Sequence, residues 1–482
     1  MDRAFAAVHR FESRGLGRAA RGQSEFHRLA FQFAPVRFHP RLGLCDRRRR
    51  GRGRGVARHR RSHEGNQTLT DVELGRLLVA LVSLLVVALF FGRLFERLAM
   101  PLVIGEIVGG LLLGPTVLGY VYPELHAWLF RAFPTQQALL AAFYWIGLIL
   151  LMFVAGFRVQ RELSREDRML VGAILAASLV FPLIGSLLIV ALIDAATMMH
   201  QGANKTSFYL VLAIGTAVTS IPVISRIFID LKLIQTRFAK VILATATIQD
   251  LVLWTLLAIA TGLNAAPTVD GTKIVTVAVT TLLFIAISLA LGPALLKWLG
   301  RRLPLRMETA PLVGYVLLVC FALTAAASLL QINVVFGALM AGVVIGALPH
   351  DKLAEVKQRI SDVALWFFVP IYFAIVGLMI DLPNQLDWTM AAIFILISSA
   401  LKFLAVALTL ALIGKPVLTA VNYGVAMNTR GGPGIVLASL ALAFNIITES
   451  FFVTLVLASI VTSLFSGVWL RWMVRRGFSF DS

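Results

Sequence analysis

Apolar residues run along this chain in long unbroken blocks, not in alternation. Thirteen stretches are nearly free of charge: 74–92, 101–119, 138–157, 169–193, 207–228, 238–262, 274–296, 310–330, 332–348, 362–381, 388–412, 416–444 and 450–470. About 20 apolar residues in helical form cross the hydrocarbon core of a bilayer. The pattern therefore predicts an all-α membrane protein of about thirteen transmembrane helices, joined by short linkers with no inserted soluble domain. Only six residues follow Arg476, so the expectation there is a short cytoplasmic tail, 477–482.

Two of the thirteen spans carry interruptions. Span 5 reads Ile214-Gly-Thr-Ala-Val-Thr-Ser-Ile-Pro222. Proline removes a backbone donor and its ring disturbs the preceding turn. Thr216, Thr219 and Ser220 can then either satisfy freed carbonyls or present oxygens to a cation. Span 12 reads Asn428-Thr-Arg-Gly-Gly-Pro-Gly434. Gly431, Gly432, Pro433 and Gly434 together make a continuous helix improbable. With spans 1–6 as one half and 8–13 as the other, each break falls in the fifth member. The two halves start from opposite faces, so the repeat is inverted. Paired interrupted helices in inverted halves are the strongest sequence pointer to a midplane site in a secondary transporter. Irregular backbone is tolerated at that depth only beside protein or water.

Composition supports the membrane assignment. The chain is 59% hydrophobic and 14% charged, where soluble domains carry about a quarter charged residues. The net charge of +19 is uneven: residues 1–65 hold 17 Arg, no Lys and 5 acids, or +12, leaving +7 for the rest. Around the spans, 20 Lys and Arg collect on the side that includes Arg93, Arg97, Lys415 and the loops 158–168, 230–240, 297–306 and 352–359. Four lie on the other side: Arg76, Arg131, Lys205 and Lys273. Positive residues stay cytoplasmic, which puts the C-terminus inside and, with thirteen spans, the N-terminus outside. Export of a 17-arginine tail conflicts with that topology. Residues 1–68 are thus expected to be a disordered or non-native basic extension, with a start near residue 66, and the transmembrane domain to cover 69–476. The tail has no apolar core of a secretory signal, and a nucleic-acid role for it ranks far below the membrane reading.

The ionisable residues left within the spans are Glu106, Asp250, Lys402 and Arg430, with Arg226 near an end. A carboxylate at mid-membrane costs about 2.5–3.5 kcal/mol on insertion scales and is rarely idle. Asp250 is expected to handle a cation, a proton or both. Two acids and two bases at depth point to mutual compensation, and a structural ion pair is the bland alternative. Glu106, about five residues from the cytoplasmic end of its span, is expected to line an entrance. The eight histidines all lie outside the spans, which argues against a histidine relay. The cysteines, Cys45 and Cys320, form no metal or redox motif. No nucleophile–base set or phosphate loop is present, so an enzyme is not expected.

Several strings, in their order along the chain, resemble the monovalent cation:proton antiporter family 2. They are Pro101 with Ile104-Gly-Glu-Ile-Val-Gly-Gly-Leu-Leu-Leu-Gly-Pro115, Leu151-Met-Phe-Val-Ala-Gly156, Phe336-Gly-Ala-Leu-Met-Ala-Gly342, and Pro370-Ile-Tyr-Phe-Ala-Ile-Val-Gly-Leu-Met-Ile-Asp381. The similarity covers about residues 72–476. It implies a homodimer of inverted-repeat protomers, each with a core bundle and a dimerisation bundle. It places the ion site at the sixth-span carboxylate, here Asp250, beside two crossing broken helices. Gln249 stands where many electrogenic members have a first aspartate, as in potassium-efflux relatives; its carbonyl can still accept a bond or touch a cation. Lys402 matches the basic residue of the eleventh span, and Arg430 the Arg-Gly of the twelfth. The glutamate that often follows is replaced by Gly432-Pro433, so any ligand role of that glutamate is absent.

The expected activity is exchange of a monovalent cation, K+ or Na+, for H+ by competition at Asp250 with alternating access. Asp250, Gln249, Thr219 and Ser220 are the expected ion- and proton-binding residues, and Lys402 and Arg430 their electrostatic partners. Thr216, Pro222, Gly431, Gly432 and Pro433 belong to the broken helices. One titratable group implies one cation per proton and electroneutral transport. No cofactor and no metal beyond the transported cation is expected, and the bilayer of a bacterial inner (plasma) membrane is the expected location. The rival readings are a cation channel or uniporter, and an organic-anion symporter on a related scaffold with Arg430 binding a carboxylate.

Overall fold

The computed structural model describes residues 69–98, 100–157, 165–264, 271–302, 309–330, 332–348 and 351–480. The basic extension 1–68 and the last two residues of the tail lie outside the described residues.

Each of the thirteen apolar stretches carries a helix or a pair of half-helices. Spans 1–4 are α1 (Asp71–Arg97), α2 (Leu102–Leu113), α3 (Gln136–Phe157) and α4 (Arg165–Leu192). Span 5 is two half-helices, α5 (Lys205–Ala217) and α6 (Ile221–Asp230). Spans 6–9 are α7 (Arg237–Asn264), α8 (Gly271–Arg302), α9 (Thr309–Leu329) and α10 (Val334–Gly346). Span 10 combines α11 (Asp351–Val363), a π-helical turn (Ala364–Phe368) and α12 (Val369–Leu378). Span 11 is α13 (Trp388–Leu412), span 12 is α14 (Val417–Met427) and α15 (Gly432–Ala443), and span 13 is α16 (Glu449–Arg475). Among the described residues the only β pairing is one bridge, Met199 with Ile447.

Three sequence expectations change. The stretch 352–359, read as a basic loop, is helical within α11. Its charges concealed a buried stripe, Leu353, Val356 and Ile360, at helical spacing. His126 lies not in a loop but on the inner face of a short, largely exposed helix, Pro123–Phe130, where its own burial and the nearby Arg131 push its imidazole pKa down to about 4. Pro222, Gly432 and Pro433 do not form the breaks. The irregular backbone covers 218–220 and 428–431, and Pro222, Gly432 and Pro433 belong to the first turn of the half-helix that follows each break. Proline suits that place because the first-turn N–H groups lack intrahelical partners anyway.

Small residues set how closely the helices approach. A Cβ on Gly110 would lie 1.9 Å from the Ala374 carbonyl oxygen, and one on Gly377 2.0 Å from that of Ile107. The pair brings α2 and α12 into backbone contact. Gly156 and Gly342 do the same for α3 and α10. Without a hydrophobic drive between lipid-immersed helices, such close van der Waals contact is a main source of cohesion.

Candidate functional site

Half-helix ends create the site. The end of α5 leaves carbonyls that no intrahelical N–H reaches, and three side chains take them. Lys402, fully buried on α13, donates to the Ala217 oxygen at 2.5 Å, the Val218 oxygen at 2.7 Å and Thr219 Oγ1 at 2.6 Å. Its three protons thus meet three acceptors. Arg430 donates from Nη2 to the Thr216 oxygen at 3.3 Å and from Nη1 to Ser398 Oγ at 2.9 Å. Gln249 Nε2 reaches the Ala217 oxygen at 2.7 Å and the Ser178 oxygen at 3.1 Å. Ser178 is four residues before Pro182, a proline inside α4, which has no N–H to give that carbonyl. The cations therefore sit where the negative end of a helix dipole favours them.

The two breaks cross and bond to each other. Ser220 N–H donates to the Thr429 oxygen at 2.7 Å. Thr219 Oγ1 lies 2.8 Å from the Met427 oxygen at the end of α14 and 2.7 Å from Gln249 Oε1. One hydroxyl proton serves only one of these acceptors at a time. Thr216 Oγ1 turns back to the Ala213 and Pro182 oxygens. A Cβ on Gly431 would stand 2.5 Å from Val223 Cγ2 and 2.8 Å from Ser220 Oγ, so the crossing needs glycine there. The Arg430 backbone is tied to α16 through Thr462 Oγ1, at 3.3 Å, and through Ser463 Oγ.

Asp250 faces the other way. It lies 13 residues into α7, about 20 Å along the axis, and opens into a cavity of about 320 Å³. Its Oδ1 is buried without a hydrogen-bond partner, and no ion pair within 4.0 Å joins it to a described residue. Lys402 acts on it electrostatically at longer range. The expected compensation between buried acids and bases is therefore not a contact: the bases serve the carbonyls of a helix end. Thr247, one turn before Asp250, shares the cavity wall, as do Ile221 of α6 and Gly432 and Pro433 of α15. These last are first-turn residues of their half-helices, whose positive ends favour an anion. Ser220 caps α6 through its side chain, whereas α15 starts at Gly431 with no side-chain cap.

The cavity extends toward the ends of the spans that carry the basic residues. Leu102, Val103 and Glu106 of α2, Ala155 of α3 and Leu365 and Trp366 of the π-turn line it. A π-turn in a long helix often marks a functional position. Glu106 is 1% exposed and its Oε2 has no hydrogen-bond partner; it is in the same cavity as Asp250. Gln249, Thr219, Ser220, Thr216, Lys402 and Arg430 are at the crossing and do not line the cavity. Arg226 pairs with Glu96 at 2.9 Å. Sequence reasoning missed Thr247, Ser398 and Pro182. Each had a signal: i,i+3 spacing from Asp250, i,i+4 spacing from Lys402, and a proline inside an apolar span.

The transmembrane sodium/hydrogen exchanger family model matches residues 81–476. The chain belongs to that family. Among curated relatives, the exchanger is 28% identical over 406 residues to the Na(+)/H(+) antiporter NhaS4 of Synechocystis, covering 82% of this chain and 96% of that protein. It is 30% identical over 390 residues to K(+)/H(+) antiporter 1 of Saccharomyces cerevisiae, covering 77% of this chain but 43% of that one. Its fold matches the sodium proton antiporter MjNhaP1 of Methanocaldococcus jannaschii with a TM-score of 0.58 at 16% identity, over 82% of this chain and 97% of that chain.

Proposed function

We propose that this exchanger moves a monovalent cation, Na+ or K+, against a proton, one for one, with Asp250 as the shared binding group. The carrying observation is the Asp250 carboxylate lining a cavity, without an ion pair to any described residue, together with the positive starts of α6 and α15. A cation and a proton exclude each other there: protonation removes the charge that binds the cation, and the bound cation disfavours the proton. The relatives fit this reading, one being named for sodium and the other for potassium. Arg430, Lys402, Gln249 and Thr219 hold the crossing that positions the site, and Glu106 shares the cavity with Asp250.

The charge distribution supports a cytoplasmic C-terminus and a cavity open to the cytoplasm in this state. A bacterial inner membrane and a homodimer complete the proposal. Alternating access then requires one bundle to move against the other so that Asp250 faces the far side. With one carrier group per cycle, no net charge crosses. Cation-driven proton flux in proteoliposomes is therefore expected to be insensitive to an imposed membrane potential. A strong response would contradict one-for-one exchange and point to Glu106 as a second proton carrier.

A further inference from the structure

Three buried hydroxyls that do not line the cavity are unused by that mechanism. Tyr144 of α3, Tyr372 of α12 and Ser439 of α15 are 2%, 0% and 1% exposed. The phenol rings lie 5.1 Å apart between centroids. The three hydroxyls interact with one another electrostatically; Ser439 Oγ donates to the Ile435 oxygen at 2.9 Å, and neither phenol oxygen has a hydrogen-bond partner within 3.5 Å among the described residues. A buried donor left unpaired costs free energy, and native structures rarely leave two together without a use.

Their position gives the use. Val369 and Phe373 of α12, on either side of Tyr372 in the chain, and Val436 of α15 line the cavity. Ser439 is one turn further along α15, away from the basic ends. Tyr144 is seven residues, about 10 Å, further along α3 than the cavity residue Leu151. Tyr144 and Ser439 thus stand on the side of the cavity away from its mouth, with the Tyr372 ring against that of Tyr144, on three of the helices that form the cavity wall. We propose that Tyr144, Tyr372 and Ser439 line the outward leg of the transport path and lend oxygens to a partly dehydrated monovalent cation between Asp250 and the far side. This rests on the exchange reading above. In the present state the phenol oxygens have no hydrogen-bond partner among the described residues. When the bundles move, water and the cation satisfy them, as oxygen ligands replace part of a hydration shell in other ion paths.

The test reads access separately from transport. In a chain carrying Cys45→Ser and Cys320→Ala, Ser439→Cys is reconstituted and exposed to a membrane-impermeant maleimide on one face at a time, under cation gradients of either direction. Labelling is expected from the face opposite the basic loops, slowed by saturating Na+ or K+. No labelling from that face under either gradient overturns the inference. A Tyr144→Phe/Tyr372→Phe double variant is expected to raise the half-saturating cation concentration on that face about two- to tenfold, the worth of a neutral hydrogen bond, and to leave the cavity face unchanged. Equal values on both faces, unchanged from the parent chain, also overturn it; where the double variant does not fold, labelling decides alone. Absence of any exchange by the parent chain instead refutes the exchange reading, and the labelling result still stands.

Discussion

Asp250→Asn is expected to reduce cation-driven proton flux in proteoliposomes by two to three orders of magnitude while the protein remains folded. The amide has nearly the same shape but neither the charge nor the exchangeable proton. A carboxylate and a monovalent cation about 4 Å apart attract by about 4 kcal/mol at an effective dielectric of about 20, and each 1.4 kcal/mol is about tenfold in binding. Folding should survive because, among the described residues, Asp250 Oδ1 has no hydrogen-bond partner and Asp250 no ion pair within 4.0 Å. Size-exclusion profiles and thermal midpoints in detergent check that half of the expectation. Flux near the parent value would remove Asp250 from the mechanism.

Lys402→Met is expected to have the opposite balance, with stability lost first. The ammonium satisfies the Ala217 and Val218 oxygens and Thr219 Oγ1 at the end of α5. Methionine fills the volume but leaves the Val218 oxygen unpaired and removes the positive charge from a helix end. Removing one partner of a buried charged set costs about 2–5 kcal/mol. The thermal midpoint in detergent should fall by several degrees, with exchange lost as the crossing loosens. An unchanged midpoint would mean that water or Gln249 alone can cap α5, and that Lys402 acts on transport directly.

The bilayer makes much of the fold legible. Every backbone polar group in hydrocarbon must be satisfied within the helix, so long apolar runs in the sequence correspond to helices in the structure. The breaks in spans 5 and 12 were visible through Pro222 and Gly431-Gly432-Pro433. Their placement was not, because a proline that interrupts a helix and one that starts the next look alike in sequence. The polar first half of span 10 was lost to its charges. Within the site, the depth of Asp250 was readable from residue type and position. The partners of Lys402 and Arg430 were not, since backbone carbonyls carry no side-chain identity; sequence logic sought acids where the structure supplies a helix end. Gln249 shows the same limit. Its amide is held by Ala217, Ser178 and Thr219, a set that only the proline in α4 hinted at.

Competition at a single carboxylate is the central claim, and proton release on cation binding tests it most directly. Purified protein in weakly buffered detergent solution is titrated with Li+, Na+, K+ or Rb+ while pH is followed, with Asp250→Asn in parallel. The account predicts release of one proton for each cation bound when Asp250 begins protonated, an apparent affinity that weakens as pH falls, and no release from Asp250→Asn. Cation binding without proton release, or equal release from Asp250→Asn, would contradict it.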